Sequence, residues 1–174
     1  VSVGNSVSIQ YLSQNPEFDT EATVLQQVFN GTSQIMQTLR EYGKVMQDLE
    51  ERPNDESVIN RMLRVNQEMD RLDAWQLESD AKTILTKLGV VDFDAKIGTL
   101  SGGQRKRVAL SSALIHPCDL LILDEPTNHI DNESVDWLEQ YLNKRKGALI
   151  MITHDRYFLD RVVNRIIELD RGRL

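Results

Sequence analysis

The C-terminal part of the chain alternates short apolar runs with helical patterns, and this order restricts the possible fold more than any other feature. Three apolar runs predict buried strands: Leu120–Leu123, Leu149–Thr153 and Arg165–Leu169. Three amphipathic segments predict the helices that alternate with them: Gln104–Leu114, Asn132–Leu142 and Asp155–Val162. Strands joined through helices run parallel, because each connection crosses back over the sheet. Residues 98–174 are therefore predicted to form part of an α/β domain.

Residues 21–97 are helical in pattern and contain two heptad-spaced apolar stripes. The stripes comprise Ile35, Leu39, Tyr42, Met46 and Leu49, then Val58, Met62, Val65, Met69 and Leu72. A turn signal over residues 51–55 separates them, so we predict an antiparallel helical hairpin over about residues 33–73. We favour stripes that face the core over a groove that binds a partner. A third helix is predicted over Ala74–Leu88, ending at Gly89.

Residues 1–20 predict a short strand, Val7–Tyr11, followed by a loop at Gln14. The chain thus divides into segments 1–20, 21–97 and 98–174. Its net charge of −7 argues against a protein that only clamps nucleic acid. The single cysteine excludes an internal disulfide, and the apolar runs are too short to cross a bilayer. We expect a cytoplasmic protein that does not insert directly into a membrane.

An apolar strand ends abruptly in two carboxylates, Asp124 and Glu125. Ligands of open parallel sheets bind beyond the carboxyl ends of the strands. Asp124 is suited to Mg²⁺, which prefers oxygen ligands, and Glu125 is suited to activate a water that attacks a phosphate. The alternative is an acidic loop that merely follows a core strand.

The segment Leu100-Ser101-Gly102-Gly103-Gln104 precedes a predicted helix. Glycines let the backbone approach an anion closely, and the start of a helix offers free N–H groups. Ser101 adds a hydroxyl donor. The alternative is a glycine-rich loop that only starts the helix.

Three further polar residues stand at element ends: His154 and Gln14 after strands, and Asp131 before a helix. His154 is able to donate a hydrogen bond to a γ-phosphate, although a lone histidine there is more often structural. The Gln14 amide is able to contact Mg²⁺ or water, or it belongs to a simple turn. Asp131 equally suits the N-cap of the following helix.

Taken in order, these segments resemble the ABC ATPase family, whose Q-loop, signature, Walker B, D-loop and switch-histidine motifs they match over nearly the whole chain. The resemblance implies a partial P-loop NTPase-like α/β domain with parallel core strands and an inserted hairpin. It implies ATP and Mg²⁺ as cofactors, and a second cassette on the same polypeptide or in a homodimer as partner. The resemblance implies that Asp124 and Gln14 bind Mg²⁺, that Glu125 is the catalytic carboxylate and that His154 is the γ-phosphate switch. It also implies that four residues contact the ATP of the other cassette: Ser101, Gly102, Gly103 and Gln104. Asp131 would couple the two sites.

A narrower resemblance, to the ABC-F class, is carried by residues 124–131, 154–159 and 168–174. The hairpin leading into residues 74–78 looks like the first cassette of a Uup-like member. Such proteins carry two cassettes and no membrane domain, and many act on the ribosome and tRNA during translation; others affect DNA. Two alternatives are the ATPase subunit of a membrane transporter and a non-catalytic interaction module. The heptad hairpin favours ABC-F over a transporter subunit, and the intact Asp124, Glu125 and His154 favour an enzyme.

The printed sequence contains no Gly-x-x-x-x-Gly-Lys-Ser/Thr motif. We therefore expect the P-loop upstream of Val1 and a fragment of a longer protein. The 174 residues alone are expected to bind ATP weakly and hydrolyse it negligibly, whereas the parent protein is expected to be an ATPase. Glu125→Gln in the parent should trap the ATP-bound, closed state.

Overall fold

The computed structural model describes residues 7–168, which divide into two compact units. The first unit comprises residues 7–15 with 117–168, and the second comprises residues 16–116. In chain order the elements are β1 (Ile9–Leu12), α1 (Val24–Val28), α2 (Gln34–Glu51), α3 (Glu56–Arg71), α4 (Ala74–Lys87), a 3₁₀ turn (Ile97–Thr99), α5 (Gly102–Ile115), β2 (Leu120–Asp124), α6 (Asn132–Lys144), β3 (Ala148–Ile152) and α7 (Arg156–Val162).

The first unit is built on a parallel sheet with the strand order β1-β2-β3. Leu12 pairs with Leu123, and Asp124 pairs with Ile152, so the three strands end together. The central strand β2 is apolar because it has a neighbour on each side. Its Leu121 and Leu123 are fully buried, and Leu138 of α6 and Phe158 of α7 complete the core of this unit. The predicted parallel α/β arrangement is confirmed.

The predicted strand over Arg165–Leu169 is wrong for the part of it that the structure describes. Residues 165–168 follow α7 in irregular backbone, and Leu169 lies outside the described residues. Ile166 and Ile167 are 60% and 75% exposed. A strand requires a hydrogen-bonded neighbour, and none of the strand pairings among residues 7–168 involves this segment.

The second unit contains the predicted hairpin, in which α2 packs along α3. Arg61 of α3 joins the two helices, since its guanidinium donates to Glu41 at 2.6 Å and to Asp48 at 2.8 Å. Of the first predicted stripe only Leu39 is fully buried. Met36 and Val45 are buried as well, because α2 also packs on α1 and α4 and is therefore covered on more than one side.

Helix α5 belongs to the helical second unit, so the division falls after His116 rather than at the predicted boundary between residues 97 and 98. The reason is packing: α5 lies against α1 and α4 and buries Val108, Leu110 and Leu114. Helix α4 ends as expected, with Gly89 in a left-handed conformation at φ 72°. No helix within residues 7–168 combines the length and the hydropathy needed to cross a bilayer.

Candidate functional site

The carboxyl ends of the three strands bring four of the nine predicted site residues, Gln14, Asp124, Glu125 and His154, to one edge of the sheet. Asp124 is the last residue of β2, whereas Gln14 and His154 each follow a strand by two positions. Because the strands are parallel and their ends are in register, residues that are far apart in sequence become neighbours there. The first unit alone therefore assembles this part of the candidate site.

Glu125 has an unusual backbone conformation. Its φ is +50°, a left-handed value that costs a residue with a side chain about 1–3 kcal/mol. Two hydrogen bonds hold the strained peptide: the Glu125 N–H donates to the carbonyl of Ile152 at 2.8 Å, and the Asn128 N–H donates to the Glu125 carbonyl at 3.2 Å. Such strain concentrates at functional sites, and here it turns the chain sharply at the end of β2.

The Glu125 carboxylate lies between two side chains from the end of β3. The hydroxyl of Thr153 donates to Oε2 at 3.3 Å, and Nε2 of His154 lies 3.4 Å from Oε1. The Glu125 side chain is only 12% exposed, whereas that of His154 is fully exposed. This arrangement orients the carboxylate from one side and leaves the imidazole accessible to a ligand.

Thr153 is a site residue that the sequence analysis did not assign. Its hydroxyl also accepts a hydrogen bond from the Asp155 N–H at 3.1 Å, which holds the hydroxyl in place. Asp155 in turn caps α7 by accepting from the Phe158 N–H. A hydroxyl residue at the strand end, directly before His154, was the available signal.

The oxygen donors at this edge fit a magnesium ion that is shared with phosphate and water. Asp124 is half-buried and Gln14 is exposed, and together they offer one carboxylate and one amide oxygen. Within residues 7–168 no three His, Cys, Asp or Glu side chains are grouped as a protein-only metal site would require. Mg²⁺ is commonly bound by one or two carboxylates together with substrate phosphates, so the donor set suits that mode.

The segment from Ser101 to Gln104 begins α5 in the second unit. Ser101 is the N-cap, and the two residues form a capping box: the Gln104 N–H donates to the Ser101 hydroxyl at 3.2 Å, and the Ser101 N–H donates to Gln104 Oε1 at 2.9 Å. A Cβ added at Gly102 would meet nothing within 4 Å. The helix-starting role is thus confirmed, and the contact with ATP stays a prediction.

Asp131 is the N-cap of α6, as one of its two sequence interpretations required. Its Oδ1 accepts the Ser134 N–H at 2.8 Å, and Ser134 is buried. Two residues earlier, His129 also has a left-handed φ of +67°. The turn between β2 and α6 is therefore defined by local geometry, and the coupling role of Asp131 stays a prediction.

Comparison with known families explains the order of these motifs. The pattern of the family described as "ABC transporter" matches residues 4–128, which is more than half of the chain. The chain belongs to this family. The match includes β1, the hairpin, the segment from Ser101 to Gln104 and the two carboxylates after β2.

Several members of this family are close in sequence. The uncharacterized ABC transporter ATP-binding protein YfmR of Bacillus subtilis is 49% identical over 174 residues, which are 100% of this chain and 28% of that protein. The energy-dependent translational throttle protein EttA of Mycobacterium tuberculosis is 42% identical over 99% of this chain and 30% of its own length. The ATP-binding protein Uup of Haemophilus influenzae is 34% identical over 95% of this chain and 25% of its own length. These relatives are ABC-F proteins, and the chain spans less than a third of their length.

A solved structure supports the fold assignment. The archaeal ribosome recycling factor aABCE1, in complex with the ribosomal stalk protein aP1, superposes with a TM-score of 0.57 over 98% of this chain and 27% of that one. Its sequence identity is 19%, so the likeness concerns the fold. The ABC ATPase architecture predicted from the sequence is confirmed.

Proposed function

We propose that this chain is part of an ATP-hydrolysing cassette of an ABC-F protein that acts in translation. The supporting observation is the Glu125 carboxylate, oriented at the carboxyl edge of the sheet by Thr153 and accompanied by the exposed His154. A carboxylate held in this way is suited to position a water for attack on a γ-phosphate.

In the proposed reaction, Glu125 orients the water and receives its proton as the water oxygen attacks the γ-phosphorus. The bond between the γ-phosphorus and the β–γ bridging oxygen breaks, so ADP and phosphate form. The exposed imidazole of His154 donates to a γ-phosphate oxygen and thereby responds to the presence of that phosphate. Asp124 and Gln14 would hold Mg²⁺, which when bound would neutralise charge that develops on the phosphates.

The start of α5 is proposed to bind the ATP of a second cassette. Its capping box uses the Ser101 hydroxyl as an acceptor for the Gln104 N–H, while the N–H groups of Gly102 and Gly103, in the first turn, have no acceptor within the helix. Gly102 has no packing contact that requires a glycine, so its missing side chain leaves room for a phosphate. Asp131 is proposed to couple the two sites of the pair.

A role in translation is proposed from two relatives. One is named an energy-dependent translational throttle, and the protein with the similar fold is a ribosome recycling factor bound to a ribosomal stalk protein. The first name refers to translation and the second to the ribosome. No membrane-spanning helix occurs among residues 7–168. Helices α2 and α3 form the hairpin that favours an ABC-F protein over a transporter subunit.

Glu125→Gln in the full-length protein that contains this chain tests the proposal. The amide keeps the shape of the side chain but cannot accept the proton, so we expect hydrolysis to fall by about 10²–10⁴-fold. Binding of ATP should persist, as measured with a fluorescent analogue. Glu133→Gln, at an exposed position in the first turn of α6, is the matched control and should hydrolyse ATP normally.

The same variant tests the role in translation. A protein arrested with ATP should co-sediment with ribosomes through a sucrose cushion, and ADP should release it. Normal hydrolysis by Glu125→Gln would refute the catalytic assignment. A trapped protein that fails to sediment with ribosomes would instead refute the partner and leave the ATPase assignment standing.

A further inference from the structure

A cleft of about 260 Å³ opens along α2, entirely within the second unit, between α1, α2 and α4. Its volume lies just below the range of about 300–1,000 Å³ that is usual for small-molecule sites. It therefore suits a single long side chain better than a nucleotide. None of the residues that line it belongs to the site described above.

Gly43 lies in the middle of α2 and lines this cleft. A glycine inside a helix costs about 1 kcal/mol relative to alanine. Its φ is not positive, and a Cβ added there would meet nothing within 4 Å, so neither backbone conformation nor packing requires glycine. What the glycine does is leave the helix backbone bare beside an open cleft, where another group is able to approach it.

The walls of the cleft combine apolar and acidic surfaces. Phe29 and Leu39 are buried, and Met46 adds a flexible thioether that is half-buried. Tyr42 closes another side, and its ring stacks edge-on against Trp75 with centroids 5.1 Å apart. These groups form the apolar part of a wall that also has polar lining residues, and this apolar part suits a methylene chain.

The charged groups around the cleft favour a cation. Its charged lining residues are Glu50, Glu78 and Asp94 against Lys82, so one positive minus three negative charges gives −2. Lys82 is already paired with Glu78 at 2.7 Å, which leaves Glu50 and Asp94 to attract a ligand. Burial raises the pKa of Tyr42, and the negative charge of Glu78 raises it further although Lys82 opposes this.

We propose that this cleft receives an arginine or lysine side chain from a partner protein, with its methylene stem against Gly43 and Met46 and its cationic head between Glu50 and Asp94. The apolar lining accounts for the stem, and the surplus of carboxylates accounts for the head. The same carboxylates repel phosphate, so the partner surface is protein rather than nucleic acid. A basic protein segment would then bind the hairpin along α2.

Methionine-methyl NMR of the full-length protein measures this interaction, with the Met46 resonance assigned through Met46→Leu. The probe is the blocked tripeptide Gly-Arg-Gly, and its neutral counterpart carries citrulline, which has nearly the same shape, in place of arginine. We expect a saturable shift of the Met46 methyl with the arginine peptide. Citrulline should bind at least about fivefold more weakly, because it lacks the charge.

Two variants and one control test whether the peptide binds in the cleft. Gly43→Leu fills the cleft while favouring the helix, and should weaken binding at least about tenfold without changing ATP hydrolysis. Glu50→Gln should weaken it by about two- to fivefold, as expected for an exposed charge. Lys44→Leu introduces the same side chain one position away, on an exposed surface that does not line the cleft, and should bind as the wild type does.

The proposal is overturned if the Met46 methyl shows no saturable shift, if citrulline binds as well as arginine, or if Gly43→Leu leaves binding unchanged. Tighter binding of free butylguanidinium than of the tripeptide would overturn the protein partner and indicate a site for a small organic cation. All these readouts are independent of ATP turnover, so loss of the proposed ATPase function would not affect them.

Discussion

Replacing Asp131 separates its structural role from its proposed functional one. The Oδ1 atom of this exposed carboxylate accepts the N–H of the buried Ser134 at 2.8 Å and so caps α6. Asp131→Ala removes that acceptor. Asp131→Asn keeps an oxygen in the same position but removes the charge, and asparagine is about as good an N-cap as aspartate.

The expected magnitude follows from this single cap. Loss of an N-cap of this kind costs about 1 kcal/mol, which corresponds to roughly a fivefold increase in local opening. Asp131→Ala should therefore speed hydrogen exchange in the first turn of α6 by about fivefold. Asp131→Asn should change it by less than about twofold, since its cap persists.

Hydrogen-exchange mass spectrometry of the peptide containing α6 measures both variants in the full-length protein. Asp136→Ala, at an exposed position within the same helix, is the control and should exchange almost as the wild type does. An unchanged exchange rate in Asp131→Ala would refute the capping argument. ATP hydrolysis reports the second role: if the carboxylate couples two cassettes, Asp131→Asn lowers turnover although its helix is intact.

Two further predictions concern the backbone and pH. Gly147→Ala should lower the thermal unfolding midpoint more than Gly89→Ala. At Gly147, where φ is +100°, a Cβ would lie 2.8 Å from the Asp119 carbonyl oxygen. At Gly89 a Cβ would meet only the flexible Arg107 side chain. Equal midpoints would contradict this. Hydrogen bonds from the Ser8 side chain and backbone lower the pKa of Asp119. A lowered pKa stabilises the fold above the usual carboxyl range, and that stability is lost as the pH falls through the folded-state pKa. Ser8→Ala should raise the pKa of Asp119 in a carboxyl-carbon NMR titration, and an unchanged titration would refute the assignment.

Much of the candidate site was predictable because parallel strands share an edge. Asp124 directly follows an apolar run, and Gln14 and His154 each follow one by two positions. Once the strands are parallel and in register, these ends must meet, whatever the length of the intervening chain. The hairpin was predictable for a similar reason, since heptad spacing aligns apolar residues along one side of each helix.

Other features depend on contacts that no local pattern contains. The sequence shows a hydroxyl at Thr153, but only the pairing of β2 with β3 brings it within 3.3 Å of Glu125. Helix α5 joins the helical unit because its apolar side chains pack on α4 and on α1, and α1 lies far earlier in the sequence. The apolar run at residues 165–169 predicted a strand, yet its described residues have no neighbour to pair with.

By itself, then, the sequence determined the periodicities, the order of elements and the types of side chain at strand ends, since these are properties of short stretches of chain. Only the tertiary structure decided the left-handed turn at Glu125, the partners of its carboxylate and the open cleft beside Gly43. Each of these depends on distances between segments remote in sequence. Such distances are set by packing of the whole unit rather than by local preference.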